Sequence, residues 1–276
     1  MINYSIQCAN RLLSLDSPVV MGILNVTPDS FSDGGLFSNT DAALLQAEKM
    51  LAEGAQIIDI GGESTRPGAP EVPIEQELDR VIPIIEAIDQ RLDVIISIDT
   101  SKALVMKEAA NAGAGMINDV LALRANGALV AAAQTGLPVC LMHMQGEPRT
   151  MQAKPSYHNV ESEVTEFLTQ RIEQCRLQGF KKEQLIIDPG FGFGKTLAHN
   201  IALFKHLTSF ARLGYPVLVG ASRKSMIGQI THKEVNERLA GSIALATLAA
   251  INDAAIIRVH DVAQTVDALK IAQSLG

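Results

Sequence analysis

The chain has 276 residues, 47% of them hydrophobic, with a formal net charge of −7. That is enough material for one large α/β core, and an acidic balance with no Lys/Arg cluster argues against nucleic acid as a partner. The three cysteines, Cys8, Cys140 and Cys175, lack paired spacing. Together with the absence of a signal peptide, this favours a reduced cytoplasmic compartment. No apolar run is long enough to span a bilayer, which excludes a membrane partner. Asn25-Val26-Thr27 matches a glycosylation sequon, read here as chance in a chain without an export signal.

Residues 1–18 form a lead-in without a readable pattern. From there strand and helix signals alternate. Strands are expected at 19–25, 57–62, 94–99, 116–120, 138–144, 185–189, 217–222 and 256–260. They are rich in Ile, Val and Leu with little alternation, as suits strands covered on both faces. Amphipathic helices are expected at 41–53, 75–88, 102–112, 127–135, 159–178, 199–213, 235–251 and 262–274. Asp41, Ser101 and Asn159 stand where N-caps belong. Gly54, Gly113, Gly136, Gly179 and Gly214 stand where helices should end.

Eight strands each followed by a helix predict a (β/α)₈ TIM barrel, a single domain over 19–276. An open doubly wound sheet would bind its ligand at one switch point. The strand ends decide between the two. The first strand ends at Asn25, the third at Asp99, the fourth at Asn118 and the sixth at Asp188. The seventh ends at Ser222 with Lys224 just beyond, and the eighth at Arg258 and His260. A polar group at nearly every strand end makes sense for a ring around one site. The long stretches 26–40 and 62–74 follow the first two strands, and loops of that length tend to be functional lids.

Asp99 ends a buried strand, where an unsatisfied carboxylate is costly; the alternative is a cap for the next helix. Asp188-Pro189-Gly190-Phe191-Gly192-Phe193-Gly194-Lys195-Thr196 looks like a phosphate loop. However, Pro189 stands where the first glycine must be and offers no N–H. Gly220-Ala221-Ser222-Arg223-Lys224-Ser225 would present a helix N-terminus to an anion, or is a plain solvated turn. Arg258 needs an anion, either a ligand phosphate or a carboxylate such as Asp59. His143 and Cys140 face opposite ways on a strand, so no zinc site is expected. Met142 and Met144 read as apolar packing, suited to a flat ligand.

Seven stretches together resemble the bacterial dihydropteroate synthases: Leu24 to Gly35, Gly61 to Gly68, Ser97-Ile98-Asp99-Thr100, Asn118-Asp119, Asp188 to Lys195, Ser222-Arg223-Lys224-Ser225 and Arg258-Val259-His260. The resemblance runs from about residue 19 to the C-terminus. It implies condensation of 6-hydroxymethyl-7,8-dihydropterin diphosphate with 4-aminobenzoate to 7,8-dihydropteroate and diphosphate, in folate biosynthesis, by a Mg²⁺-assisted, usually homodimeric barrel that is the target of sulfonamides. Carried over by motif, Asp99, Asn118, Met142, Asp188, Lys224 and Arg258 would grip the pterin. Asn25, Thr65, Arg66, Arg258 and His260 would hold the diphosphate, with Mg²⁺ near Asn25. Thr65, Pro67, Phe193 and Ser222 would take 4-aminobenzoate. Asp99, Lys224 and Arg258 would carry the chemistry, a dissociative departure of the diphosphate with Asp99 and the dipoles of the 26–40 stretch stabilising the positive charge left behind. A pterin-binding methyltransferase domain acting on methyltetrahydrofolate is the nearest alternative, but it has no diphosphate to hold. A non-catalytic nucleotide-binding protein built on 190–196 is the alternative of another class.

Overall fold

The computed structural model of the chain describes residues 5–26, 36–64, 68–147 and 150–275, with backbone alone over 36–39. It opens with an antiparallel hairpin, β1 (Ser5–Cys8) and β2 (Arg11–Ser14). Then follow β3 (Val19–Asn25), α1 (Leu36–Ala52), β4 (Ile57–Gly61), α2 (Ile74–Arg91), β5 (Ile95–Asp99), α3 (Ala103–Asn111), β6 (Met116–Asp119) and α4 (Ala128–Thr135). The second half holds β7 (Val139–Met142), α5 (Val160–Leu177), β8 (Leu185–Asp188), α6 (Leu197–Lys205), α7 (Leu207–Ala211), β9 (Val217–Val219), α8 (Ser225–Thr231), α9 (Leu239–Ile251), β10 (Ala254–Val259) and α10 (Val262–Leu275). Strands β3 to β10 pair in parallel and close into a barrel, β10 meeting β3. The expected (β/α)₈ architecture is therefore the observed one.

The barrel interior is layered. Alternate residues of a strand point inward. The lower inward layer is apolar: Met21, Ile57, Ile95, Met116, Cys140, Ile186, Leu218 and Ile256 form one buried cluster. Two residues further along most of these strands the side chain turns polar: Asp59, Ser97, Asn118, Asp188 and Arg258. The outer face packs a much larger aliphatic core against the helices. One physical rule thus divides the interior into a dry floor and a polar mouth.

The lead-in closes that floor. Ile6, Cys8, Leu13 and Leu15 alternate with outward, exposed residues and join the lower cluster. Arg11 ties the hairpin to the end of α2 and the start of β5, bonding Asp89 at 3.1 Å and Asp93 at 3.0 Å. A Cβ at Gly115 would stand 3.1 Å from the Cys8 carbonyl oxygen, so the hairpin is pressed against the foot of β6.

Several boundaries differ from the sequence expectation. Helix α1 starts at Leu36, so Asp41 lies inside it and is not its cap. This also shortens the first long loop. Ser101 does not cap α3: Lys102 holds the N-cap position with no side-chain bond, and the Ser101 hydroxyl donates to Asp119 instead. Asn159 does cap α5, accepting from Ser162 N at 3.0 Å. The helix expected over 199–213 is two helices that meet at His206, whose φ of −108° leaves the helical range. The one expected over 235–251 begins at Leu239, because the Arg238 side chain turns back to donate to the carbonyls of Lys233 and Arg223. The five glycines expected at helix ends all have positive φ, from 69° to 117°, a conformation that costs glycine little.

Leu13→Ala should cost about 2–4 kcal/mol of stability by opening a cavity in the barrel floor, measured by urea unfolding.

Candidate active site

Four strands set the upper rim on one side. The register runs Asn25 to Gly61, Gly61 to Asp99, and Asp99 to Asn118. Gly61 carries no side chain, so Asn25 and Asp99 face each other across it. A Cβ there would lie 3.8 Å from Asn25 Oδ1 and 3.8 Å from Asp99 Oδ2. The Asn25 amide makes no hydrogen bond among the described residues.

Arg258 crosses the barrel from β10. Its Nε donates to Asp59 Oδ2 at 2.6 Å and its terminal nitrogen to Asp99 Oδ2 at 2.8 Å. Burial alone would lower the guanidinium pKa, but the two carboxylates beside it raise it, so Arg258 is charged. The carboxylate partner considered from the sequence, Asp59, is therefore present, and Asp99 is a second one. A guanidinium has five N–H donors, and these two bonds leave others for a ligand. Asp59 Oδ2 also accepts from Asn118 Nδ2 at 3.1 Å, which sets the direction of that amide. Burial pushes Asp99 up to about 7, with Arg258 pulling down and Asp59 adding to the rise.

Asp188 ends β8. Its Oδ1 accepts from Gly190 N at 2.7 Å, and its other oxygen carries no hydrogen bond among the described residues. Burial raises its pKa, against the pull of Lys224 and the Gly190 bond. Lys224 reaches in from the turn after β9. Its ammonium donates to the Phe191 carbonyl and lies 4.5 Å from the centre of the Phe193 ring. Burial brings it down to about 8, with Asp188 opposing and Arg258 assisting. The turn that aims Lys224 is fixed by Arg223, which has a φ of 57° and pairs with Asp261. Ser222 Oγ lies 3.0 Å from His260 Nδ1 and accepts from His260 N at 3.3 Å. Met142, Met144, Val120 and Met151 form an apolar cluster against which Phe193 packs.

The structure thus brings Asn25, Asp99, Asn118, Met142, Asp188, Phe193, Ser222, Lys224, Arg258 and His260 to one end of the barrel. Thr65, Arg66 and Pro67 lie outside the described residues.

Sequence reasoning passed over two arrangements. The first is Lys195, which in the phosphate-loop reading would reach for a ligand. It is instead buried, with its Nζ 2.8 Å from Gly190 O, 3.0 Å from Phe193 O and 2.9 Å from His143 Nδ1. Three near acceptors match the three donors of an ammonium. Burial holds His143 neutral, down at about 2, with Lys195 assisting. The other loop carbonyls are also taken: Phe191 O by Lys224, Gly192 O by Gln152 and Gly194 O by Tyr157. No carbonyl from 190 to 194 lacks a donor, and a Cβ at Gly190 would overlap the His143 carbonyl oxygen. This is a locked loop and not a phosphate cradle. The signal was present as a lone lysine closing a run of glycines whose carbonyls need donors.

The second arrangement is an ionic knot around Lys102. Lys102 donates to both Glu63 and Glu77, and Thr100 Oγ1 donates to Glu77 Oε1 at 2.7 Å. Arg80 donates to Gly62 O at 2.7 Å. Glu77 sits in the first turn of α2, and nothing in local spacing marks it as a partner of Lys102.

A polar-mouthed parallel barrel with opposed carboxylates and cations, above an apolar shelf of methionines, is the build of an enzyme that holds a flat, hydrogen-bonding ring. Residues 21–260 match the family described as pterin binding enzymes. The chain is 56% identical over 265 residues to the dihydropteroate synthase of Haemophilus influenzae, covering 96% of each, and 55% identical over 262 residues to that of Escherichia coli, covering 95% and 93%. Among solved structures it is similar to Yersinia pestis dihydropteroate synthase in a sulfonamide complex, with a TM-score of 0.94, 54% identity and 98% coverage of both chains. It is also similar to Xanthomonas albilineans dihydropteroate synthase with 4-aminobenzoic acid, with a TM-score of 0.94, 51% identity and coverage of 99% and 98%. The chain belongs to the dihydropteroate synthase family.

The Lys224 ammonium is lost as the pH rises through about 8, and a neutral amine is a weaker donor. Pterin affinity should fall by up to about tenfold per pH unit above 8. Calorimetry across pH 7–10 checks this, with Lys224→Met expected to bind weakly at every pH and to show no such limb.

Proposed function

We infer that the chain condenses 6-hydroxymethyl-7,8-dihydropterin diphosphate with 4-aminobenzoate, giving 7,8-dihydropteroate and diphosphate. The observation that carries this reading is the hydrogen-bonded chain Asn118–Asp59–Arg258–Asp99 in the same mouth as Asp188 and Lys224. A related structure, Xanthomonas albilineans dihydropteroate synthase in complex with 7,8-dihydropteroate, is 49% identical with a TM-score of 0.90, and supports the same ligand class here.

The residues divide the work by chemistry. A pterin edge offers N–H donors and an oxygen acceptor. Asp188 has an oxygen free to accept from the ring N–H and amino group, a charge-assisted contact. Asn118 presents an amide held by Asp59, and Lys224 donates to the ring oxygen. Each bond to a charged group contributes about 1.5–3 kcal/mol. Met142 supplies a soft apolar surface for the ring face. Arg258, His260 and Asn25 face the diphosphate, joined by Thr65 and Arg66 of the following stretch. Phe193, Pro67, Thr65 and Ser222 wall the 4-aminobenzoate.

Mg²⁺ belongs to this reading. Among the described residues no cluster of three His, Cys, Asp or Glu side chains forms a dedicated cage. Mg²⁺ commonly keeps waters and binds through one or two protein oxygens plus substrate phosphates. The unengaged amide of Asn25, facing Asp99 across Gly61, fits that habit. The ion, when bound, would offset charge on the departing diphosphate. Breaking the C–O bond ahead of attack leaves positive charge on the methylene carbon. Asp99 and the electron-rich ring stabilise that charge, so the displacement is dissociative and catalysis rests on Asp99, Lys224 and Arg258. The weakly basic arylamine then attacks and sheds a proton, with no strong general base required.

No helix among the described residues is long and apolar enough to cross a membrane, and cytoplasmic placement completes the reading. A homodimer does as well: Leu248 and Ile251 of α9 and Ile271 and Leu275 of α10 are exposed apolar side chains on adjacent helices, which such an interface would cover.

Diphosphate release should require both substrates, measured by coupled assay. Asp188→Ala should weaken pterin binding by at least about tenfold, since it strips the acceptor of a charge-assisted pair. Arg258→Ala should weaken binding of the diphosphate-bearing substrate more than that of the bare pterin. Equal losses in calorimetry would make Arg258 a structural residue only.

A further inference from the structure

Asp59 is fully buried, yet its carboxylate is poorly satisfied. Oδ2 accepts from both Arg258 and Asn118, while Oδ1 has no hydrogen-bond partner. Its register neighbour on β5 is Ser97, whose hydroxyl is likewise buried and without a partner. Among the described residues these are the buried side-chain polar atoms left unpaired. An asparagine at 59 could keep the bonds that Oδ2 makes. Its amide oxygen could take the place of Oδ2 and accept from Arg258 and Asn118. An uncompensated buried charge is costly, and Arg258 already has Asp99 to fix its pose. Hydrogen bonding alone does not require the acid, yet the chain carries it. What the acid alone supplies is negative charge next to Arg258.

We propose that Asp59 is a charge-setting, positioning residue of the reaction: it touches no substrate, and its buried carboxylate limits how tightly Arg258 holds the diphosphate, so that the leaving group can depart. Arg258 sits between the carboxyl groups of Asp59 and Asp99, so acidic groups already face it before an anion arrives. Its grip on an anion is then directional, through its remaining N–H groups, more than Coulombic. Without Asp59 the same guanidinium would retain the anion. A carboxylate a few ångströms from a phosphate, at the effective dielectric of a protein interior, shifts its binding by about tenfold or more. The inference rests on the reading that Arg258 binds diphosphate.

The test is Asp59→Asn, assayed for inorganic diphosphate binding by calorimetry with Mg²⁺ and for product inhibition in steady state. Diphosphate should bind about tenfold more tightly than to the unsubstituted enzyme, and kcat should fall as release slows, with kcat/KM for the pterin diphosphate little changed. The melting temperature should be equal or higher. A purely structural Asp59 predicts the opposite sign, weaker binding of every ligand, so unchanged or weakened diphosphate affinity in a folded variant overturns the proposal. Should Asp59→Asn fail to fold, Asp59→Ser removes the same charge and carries the same sign. Arg258→Ala separates the two levels. If it leaves diphosphate affinity intact, the site reading falls and this inference with it. If it loses affinity while Asp59→Asn gains none, this inference alone falls.

Discussion

The ion triad of Arg258 with Asp59 and Asp99 is the constraint on which the mouth of the barrel depends. It links β10 to β4 and β5, strands far apart in sequence, through bonds of 2.6 and 2.8 Å. Buried ion pairs seldom repay their desolvation in stability. This one joins side chains across the barrel, where the ladder hydrogen bonds between neighbouring strands do not reach. Through Asp59 the triad also turns the Asn118 amide. Removing Arg258 would leave two buried carboxyl groups without their cation, which is costlier than the sum of the lost contacts.

A second frame stands opposite it. The 190–194 loop follows β8 and has many glycines, a composition that by itself suggests freedom. Yet each of its carbonyls has a donor, two of them supplied by the buried Lys195. Rigid placement follows for Phe193 and for the carbonyl that seats Lys224. The triad and the locked loop face one another, so the cations and carboxylates of the mouth approach a ligand from two sides already oriented. Pre-orientation of this kind reduces the reorganisation needed during reaction.

Much of this was legible before the coordinates. Parallel strands covered on both faces must read as aliphatic runs, and where such a run ends in Asn25, Asp99, Asn118, Asp188 or Arg258 the inward periodicity alone makes those residues neighbours. The partner of Arg258 could be narrowed to Asp59 as one candidate, since β4 offered few inward charges. What could not be read were interactions set by tertiary packing. Glu77 meets Lys102 because a helix surface lies against a loop. Ser101 prefers Asp119 to its own helix because Asp119 is buried and needs donors. The hairpin was hidden because its strands are four residues each, too short for alternation to stand out from chance. Asp41 misled because Ser38-Asn39-Thr40 resembles a turn, although the packing of Ala43, Leu44, Ala47 and Met50 against the barrel carries the helix through it.

The hairpin beneath the barrel has one more implication. With Ile6, Cys8, Leu13 and Leu15 stoppering the base, the interior is a blind tube with traffic through one opening. Whatever reaches the polar layer must come from the side of the strand ends, and whatever leaves it must go back the same way.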